Sequence, residues 1–286
     1  MTEAVSKYAD LHLHSNFSDG TFSPEQIVIE ASKLGFSAIA ITDHDILDGI
    51  EPALLEGKKY GIEVIPGVEL SAEYNGEEIH ILGYYMKWLD QGFQDKLREF
   101  RDSRYTRAMR IVDKLNQLGM DIEYGDVLKL ADTNAVGRPH VATALLEKGY
   151  VSTISEAFNR FLGDDGPAYM PKQKLSPADA IAMILNVGGV PVLAHPGQIQ
   201  QDIIPELVSS GLMGLEAFHP SQSLQLSDHY CELAKGYNIV ITGGSDCHGL
   251  IRDRIAMGSV RLPYEHVEAL KEARDFVLQN LEAASS

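Results

Sequence analysis

The chain has 286 residues, 44% apolar and 23% charged, the balance of a globular protein with a substantial core. Its formal charge of −17 argues against a broad electropositive face for duplex nucleic acid, while anionic substrates stay within reach if local cations attract them. It has no apolar run of the ~18 residues that a membrane span needs and no secretory h-region near its start, and its two cysteines, Cys231 and Cys247, make no disulfide framework, so a cytoplasmic location is expected.

In chain order, residues 10–14 read as a strand, DLHLH. SPEQIVIEASKLG (23–35) reads as a helix, with Ser23 as N-cap, Pro24 at the first position and Gly35 as the stop. AIAIT (38–42) and EVIPG (63–67) read as buried strands, and Asn75-Gly76 between two strand-like runs reads as a hairpin. Residues 90–165 break this rhythm. A long charged amphipathic helix is followed by three shorter helical stretches near 123–131, 139–148 and 153–162, with no strand. The α/β alternation then resumes. Strands VPVLAH (190–195), GLEAFH (214–219) and NIVITGG (238–244) alternate with helices near 177–187, 200–210 and 222–236, before a last helix at about 264–283. This pattern predicts an α/β fold with a mostly parallel sheet, formed by residues 1–92 and 166–286. Residues 93–165 are expected to form a helical insertion covering the active site.

Polar residues gather where these strands end, the edge at which α/β folds build their sites. In Asp10-Leu11-His12-Leu13-His14, residues two apart face one side, so His12 and His14 converge. Taken alone, such a pair fits satisfied strand histidines equally well. Asp19, in the turn that follows, can fold back toward the same rim. His44 follows AIAIT, with Asp43 beside it as an acceptor that would orient a histidine. Glu69 follows VIPGV and is either a rim charge or an inward ligand; a carboxylate can bridge two ions, which an imidazole cannot. His80 alternates with Ile79 and Ile81, His195 is turned out by Pro196, and Asp246 and His248 share a face. Cys247 then points away as a small buried residue, and Cys231 reads as core. Together these are nine oxygen and nitrogen donors without thiolate, a set suited to Mn²⁺, Zn²⁺ or Fe.

The order and spacing of HLH, TDHD, the glutamate after IPG, EIHILGY, AHPG and SDCH resemble the polymerase and histidinol phosphatase (PHP) family of metal-dependent phosphoesterases. The resemblance implies a distorted seven-stranded (β/α) barrel with a trinuclear centre, Mn²⁺ foremost among the metals. One ion would take His12, His14, Glu69 and Asp246. A second would take Glu69, His80 and His195, and a third Asp19, His44 and His248. Within the family, Gly137-Arg138-Pro139-His140, Tyr169-Met170-Pro171-Lys172 and Phe218-His219-Pro220-Ser221 resemble the 3′,5′-nucleoside bisphosphate phosphatases and related 5′→3′ exoribonucleases.

That narrower likeness implies a small phosphorylated nucleotide or short single-stranded RNA as partner, while the acidic composition argues against a duplex and the lack of a long apolar run against a membrane. Arg138 and His140 would hold a second phosphate. His219 would contact the reacting phosphate or protonate the leaving group, and Lys172 would add a charge. Arg138 and His140 also fit the opening of a helix, and Lys172 fits a solvated charge. Two rival readings are a phosphatase for a small metabolite such as histidinol phosphate, and a metal-stabilised binding module that does no chemistry.

Overall fold

The computed structural model of the chain describes residues 7–130, 136–171, 175–251 and 254–284. They divide into two compact units, one of residues 1–94 with 175–286 and one of residues 95–174. The chain runs β1 (Tyr8–Asp10), α1 (Pro24–Lys33), β2 (Ala38–Ile41), α2 (Ile50–Tyr60), β3 (Glu63–Tyr74) and β4 (Glu77–Tyr84). Four helices follow: α3 (Gln91–Gln117), α4 (Tyr124–Leu130), α5 (Arg138–Glu147) and α6 (Ile154–Ala157), the last running into a π-helical turn at Phe158–Leu162. Then come α7 (Pro177–Asn186), β5 (Val190–Leu193), α8 (Ile204–Ser209), β6 (Gly214–Phe218), α9 (Leu224–Tyr237) and β7 (Val240–Gly243). A hairpin of β8 (Leu250–Ile251) and β9 (Arg254–Ile255), the short β10 (Leu262–Pro263) and α10 (Glu265–Ala284) complete the described chain.

Local chemistry accounts for the helix ends. Ser23 accepts from the Gln26 amide while Gln26 accepts from the Ser23 amide, Pro24 opens α1, and Gly35 leaves it in a left-handed conformation at φ 76°. Ser176 and Pro177 repeat the same start at α7. Each such cap contributes about 1 kcal/mol.

The sheet of the first unit orders its strands β10-β1-β2-β3-β4-β5-β6-β7. It therefore has eight strands among the described residues, where seven were expected. The eighth, β10, pairs antiparallel with β1 through Tyr8–Pro263 and Ala9–Leu262. Proline cannot donate to a ladder, so Pro263 suits such an outer position. The sheet is nearly closed: the Leu11 amide donates to Gly243 at 3.2 Å, and the His14 amide donates to Cys247 at 3.0 Å. Pairing is parallel within β1-β2-β3 and β5-β6-β7, and antiparallel on both sides of β4.

The third strand is longer than EVIPG alone suggests. Its first half pairs with β2 and its second with β4, so the chain stays extended across Gly67 and Glu69 lies inside a strand, not after one. Gly67 permits the switch of partner, since a Cβ there would lie 2.6 Å from the Ile41 carbonyl oxygen. Apolar alternation supplies the packing. Ala9, Leu11, Ala38, Ala40, Val190 and Val192 belong to one buried cluster, while Leu13, Ile27, Ile39 and Ile41 belong to another.

The helical unit has its own core of Ile111, Leu115, Val127, Val141, Leu145 and Leu162. It runs to Lys174. Ala168 is buried in that core, and Arg107 and Lys114 donate to the carbonyls of Met170 and Tyr169. No helix among the described residues is long and apolar enough to cross a membrane.

Candidate metal centre

The nearly closed sheet carries the polar residues to one edge. His12 and His14 follow β1, where only an isolated bridge between Leu13 and Cys247 continues the strand, and both histidines are fully buried. Asp43 and His44 follow β2, His195 follows β5, His219 follows β6, and Asp246 and His248 follow β7. Glu69 projects from β3 and His80 from β4.

Glu69 sits at the middle, with one oxygen toward each of two groups. Its Oε2 lies 3.1 Å from His12 Nε2, 3.1 Å from His14 Nε2 and 3.3 Å from His44 Nδ1. Its Oε1 lies 2.9 Å from His80 Nδ1 and 3.2 Å from His195 Nε2. Asp246 Oδ1 adds contacts of 3.1 Å to His14 and 3.4 Å to His12. Asp19 closes the other side, 3.2 Å from His248 Nε2, 3.5 Å from His14 Nδ1 and 3.7 Å from His44 Nε2.

Three overlapping donor groups result. One is His12, His14, Glu69 and Asp246; the second is His14, Asp19, His44 and His248; the third is His44, Glu69 and His80. The first coincides with the set that the family resemblance implies for one ion. The second adds His14 to the implied Asp19, His44 and His248. The third contains His44 where the resemblance implies His195. The latter stands beside that group, 3.3 Å from His80 Nδ1.

Close backbone geometry makes the arrangement possible. His195 and Asp246 adopt φ of 28° and 51°, a left-handed region that costs a non-glycine residue about 1–3 kcal/mol. Gly244 lies against the backbone of His12, where a Cβ would fall 2.3 Å from the His12 Cβ and 2.4 Å from its amide nitrogen. Gly244→Ala is therefore expected to destabilise the fold by more than about 3 kcal/mol. Gly236→Ala, on an open face of α9, is expected to be neutral or to add up to about 1 kcal/mol. Thermal unfolding of the two variants side by side checks this; equal melting temperatures would refute the tight approach.

Asp43 does not orient a histidine. Its carboxylate accepts from the Ser15 amide, the Ser15 hydroxyl and the Ser18 hydroxyl, each at 2.6 Å. It shapes the turn that carries Asp19. The physical reason is direction: the three donors of that turn engage both oxygens and hold the carboxylate toward the turn.

The electrostatics show what the pocket lacks. Burial alone would raise the Glu69 carboxyl, yet His44, His12 and His80 hold it well below the usual range. Burial opposes charge on His12, but Glu216, Glu69 and Asp246 lift it well above its ordinary value. His14 is likewise lifted to about 9 against the cost of burial, by Asp246 and Glu69, and His80 to about 10, by Glu69 and Glu78. His44 is the exception, drawn down to about 4 by burial. Asp19 falls to about 2, since the histidines around it outweigh its burial. The carboxylates demand positive charge, which protons supply here and a divalent cation supplies better.

The donor set fits such cations. It offers imidazole nitrogens and carboxylate oxygens with no thiolate. The Cys247 sulfur, raised in pKa by burial, instead lies 3.3 Å from the Gly249 amide, which donates to it. Among the described residues the buried Nδ1 atoms of His14 and His44 make no hydrogen bond, although a carboxylate oxygen stands within 3.5 Å of each, and buried polar atoms in that condition ask for a ligand.

The substrate residues expected from the sequence are placed unevenly. His219 is buried beside the cluster, with Nε2 3.4 Å from Asp246 Oδ2 and its ring 5.6 Å from that of His195. Arg138 opens α5 in the helical unit and donates to Asp164 at 2.8 Å and to the Leu162 carbonyl at 3.1 Å, with the Phe158 and Tyr169 rings flanking it. His140 accepts from the Gly137 amide through Nδ1 at 3.0 Å. Lys172 lies outside the described residues.

Glu216 escapes a reading by motifs. It is fully buried within β6, and its carboxylate accepts from His12 Nδ1 at 2.9 Å and from the His195 amide at 2.8 Å. The available signal was a lone acid in the apolar run GLEAF, since buried glutamates are rarely unpaired. Asp10 also lies beneath the site, accepting from the Ser245 amide at 2.8 Å, and burial lifts its carboxyl to about 6.

Comparison with known proteins agrees with this geometry. The PHP domain profile matches residues 10–169. The phosphoribosyl 1,2-cyclic phosphate 1,2-diphosphodiesterase of Eggerthella lenta is 32% identical over 84% of this chain and 94% of its own. The 5′-3′ exoribonuclease of Haemophilus influenzae is 33% identical over 85% of this chain and 91% of its own. The 3′,5′-nucleoside bisphosphate phosphatase of Chromobacterium violaceum is 28% identical over 84% and 86%. A solved structure from Bifidobacterium adolescentis, assigned to the metal-dependent phosphoesterases, superposes with a TM-score of 0.73 at 28% identity, covering 94% of this chain and 97% of that one. With its histidines and carboxylates converging on Glu69, the chain belongs to the PHP-domain family and is a metal-dependent phosphoester hydrolase.

Proposed function

We propose that the chain removes the 3′-phosphate of nucleoside 3′,5′-bisphosphates, and that short 5′-phosphorylated RNA, trimmed from its 5′ end, is an extended form of the same substrate. The observation that carries the reading is the placement of Glu69 between two groups of histidines. His12, His14, Glu69 and Asp246 would hold one ion; Glu69, His80 and His195 a second; Asp19, His44 and His248 a third, with Mn²⁺ the expected metal. Bound cations supply Lewis-acid neutralisation of the phosphate oxygens and make water a nucleophile near neutral pH.

The remaining steps fall to the protein. Glu69 fixes the spacing between the groups from its buried strand. His219 provides a donor: the Ser221 amide donates to its Nδ1 at 3.2 Å, so in the neutral ring the proton sits on Nε2, which faces Asp246 at the cluster. A neutral ring so held can donate a hydrogen bond from Nε2 to the departing ribose oxygen, and the imidazolium, with its Nδ1–H turned to the Ser221 hydroxyl at 2.7 Å, can give that oxygen a proton and return to neutral. Arg138 would engage the second, unreacting phosphate. Its present partner Asp164 is exposed, so a phosphate could take that place as a bidentate acceptor.

The relatives named above support the substrate class, since their names place them on phosphoribosyl, ribonucleotide and nucleoside bisphosphate substrates. The test is hydrolysis with Mn²⁺, followed as phosphate release from a nucleoside 3′,5′-bisphosphate, phosphoribosyl 1,2-cyclic phosphate and histidinol phosphate, and as mononucleotide release from a 5′-phosphorylated oligoribonucleotide. The bisphosphate is expected to be turned over and histidinol phosphate left intact. The reverse pattern would overturn the assignment. Arg138→Ala should lower kcat/KM on the bisphosphate by about 10–100-fold, the size of a lost charge-assisted pair, and spare a simple monophosphate ester. Equal loss on both would remove Arg138 from the second-phosphate role.

A further inference from the structure

We propose that Glu216 is a positioning residue of the metal centre, one carboxylate that sets the ring of His12 and the backbone of His195 at the same time. The inference rests on the metal-centre reading and adds a residue from outside the donor groups. Glu216 lies in the middle of β6, between buried Leu215 and Ala217, and is itself fully buried. No lysine or arginine stands among the ion pairs that Glu216 makes among the described residues; its ion-pair partner is His12. A buried acid without such a counter-charge is costly unless every lone pair works.

Each of its oxygens has a separate task. Oε1 accepts from His12 Nδ1 at 2.9 Å. A carboxylate only accepts, so Nδ1 must carry the proton, and the lone pair of a neutral His12 is left on Nε2. That nitrogen is the one 3.1 Å from Glu69 Oε2 and 3.4 Å from Asp246 Oδ1. Oε2 accepts from the His195 amide at 2.8 Å. His195 is held at φ 28°, a conformation that needs support from its surroundings, and the strain turns its ring toward Glu69 and His80. Glu216 thus ties a ligand beside one oxygen of Glu69 to a residue beside the other. Gln222 reinforces the strand from outside by donating to the Glu216 carbonyl at 3.2 Å.

Glutamine has the same shape and cannot serve both donors. If its amide group faces His12, then Nδ1 must accept and the proton moves to Nε2, where it blocks a metal. If it faces His195, two N–H groups confront each other and the strained turn loses its acceptor. Glu216→Gln should therefore weaken metal binding without unfolding the protein. Supporting partners of metal ligands typically contribute 10–100-fold in affinity, and that range is expected here.

The experiment is calorimetric titration of chelator-stripped wild type and Glu216→Gln with Mn²⁺, with melting of both stripped proteins and phosphate release as a function of Mn²⁺ concentration. The expected result is affinity lower by about 10–100-fold, activity recovered at high Mn²⁺, and a stripped variant that still melts in one cooperative transition, at a somewhat lower temperature because one buried donor has lost its acceptor. Glu216→Asp, which keeps two acceptors on a shorter arm, should fall between. Wild-type affinity in Glu216→Gln would overturn the role, and so would a stripped Glu216→Gln that has lost cooperative melting, because that marks a residue of the fold alone. Wild-type protein that binds no Mn²⁺ would sink the metal-centre reading together with this one, whereas binding without phosphate release would refute only the proposed substrate.

Discussion

Glu69→Gln is expected to lower phosphate release by at least ~10³-fold, about 4 kcal/mol of barrier, and to reduce bound metal by one ion or more per chain. The argument is geometric. The two oxygens of Glu69 face different partners, Oε2 toward His12, His14 and His44 and Oε1 toward His80 and His195. An amide keeps the volume of the side chain but presents a donor to one of those sides, and it removes the negative charge around which the histidines assemble. The strand should survive, because both backbone groups of Glu69 are bonded to the segment after β2: its amide donates to the Asp43 carbonyl and its carbonyl accepts from the Asp45 amide. Elemental analysis after desalting, together with far-ultraviolet circular dichroism, separates the outcomes. A folded variant with wild-type metal content and turnover would end the bridging role. A folded variant with full metal content and no turnover would place Glu69 in the reaction and remove it from metal retention.

The site was legible in the sequence to the extent that chemistry and position coincided. His12, His44, His195 and His248 each follow a short apolar strand, and strand ends in α/β folds converge, so their order along the chain foretold a shared edge. Glu69 was read as following a strand. It lies within a long strand that changes partners at Gly67, and no local pattern distinguishes a strand that ends from one that exchanges a parallel neighbour for an antiparallel one. Asp43 was given the wrong partner because side-chain direction is not written in spacing: its two oxygens accept from Ser15 and Ser18. Glu216 was passed over because its role depends on two residues, 204 and 21 positions away, that only the closed sheet brings together. The eighth strand failed to show for want of length, since two residues carry no periodicity.

Removing the metals should lower the melting temperature by about 7 °C per well-occupied site, and the gap between loaded and stripped protein should widen as pH rises from 6.5 to 9. The first figure follows from linkage: a ligand at about 1,000 times its dissociation constant adds about 4 kcal/mol, and a protein of this size shifts by about 1.7 °C for each kcal/mol. The second follows from protons. Without metal, His14 and His80 have pKa values raised to about 9 and about 10 from an ordinary 6.5, because buried carboxylates face them. A raised value means that the folded chain holds those protons more tightly than the unfolded chain does. Their stabilisation is complete below 6.5 and is lost as pH climbs through 9 to 10. The stripped protein must therefore weaken over that interval, as the carboxylates lose the positive charge that offset them. In the loaded protein a cation already fills that role, and binding improves as fewer protons compete for the imidazoles. Glu69 and Asp19 work in the opposite direction, with depressed pKa values whose contribution disappears only as pH falls toward the acid range, so they do not cancel the trend above neutrality. Melting curves at pH 6.5, 7.5 and 9, with and without chelator, decide the matter. A gap that stays constant or narrows with rising pH would mean that the histidines do not exchange protons for metal, and the cluster would then be a network of hydrogen bonds that happens to share the strand ends.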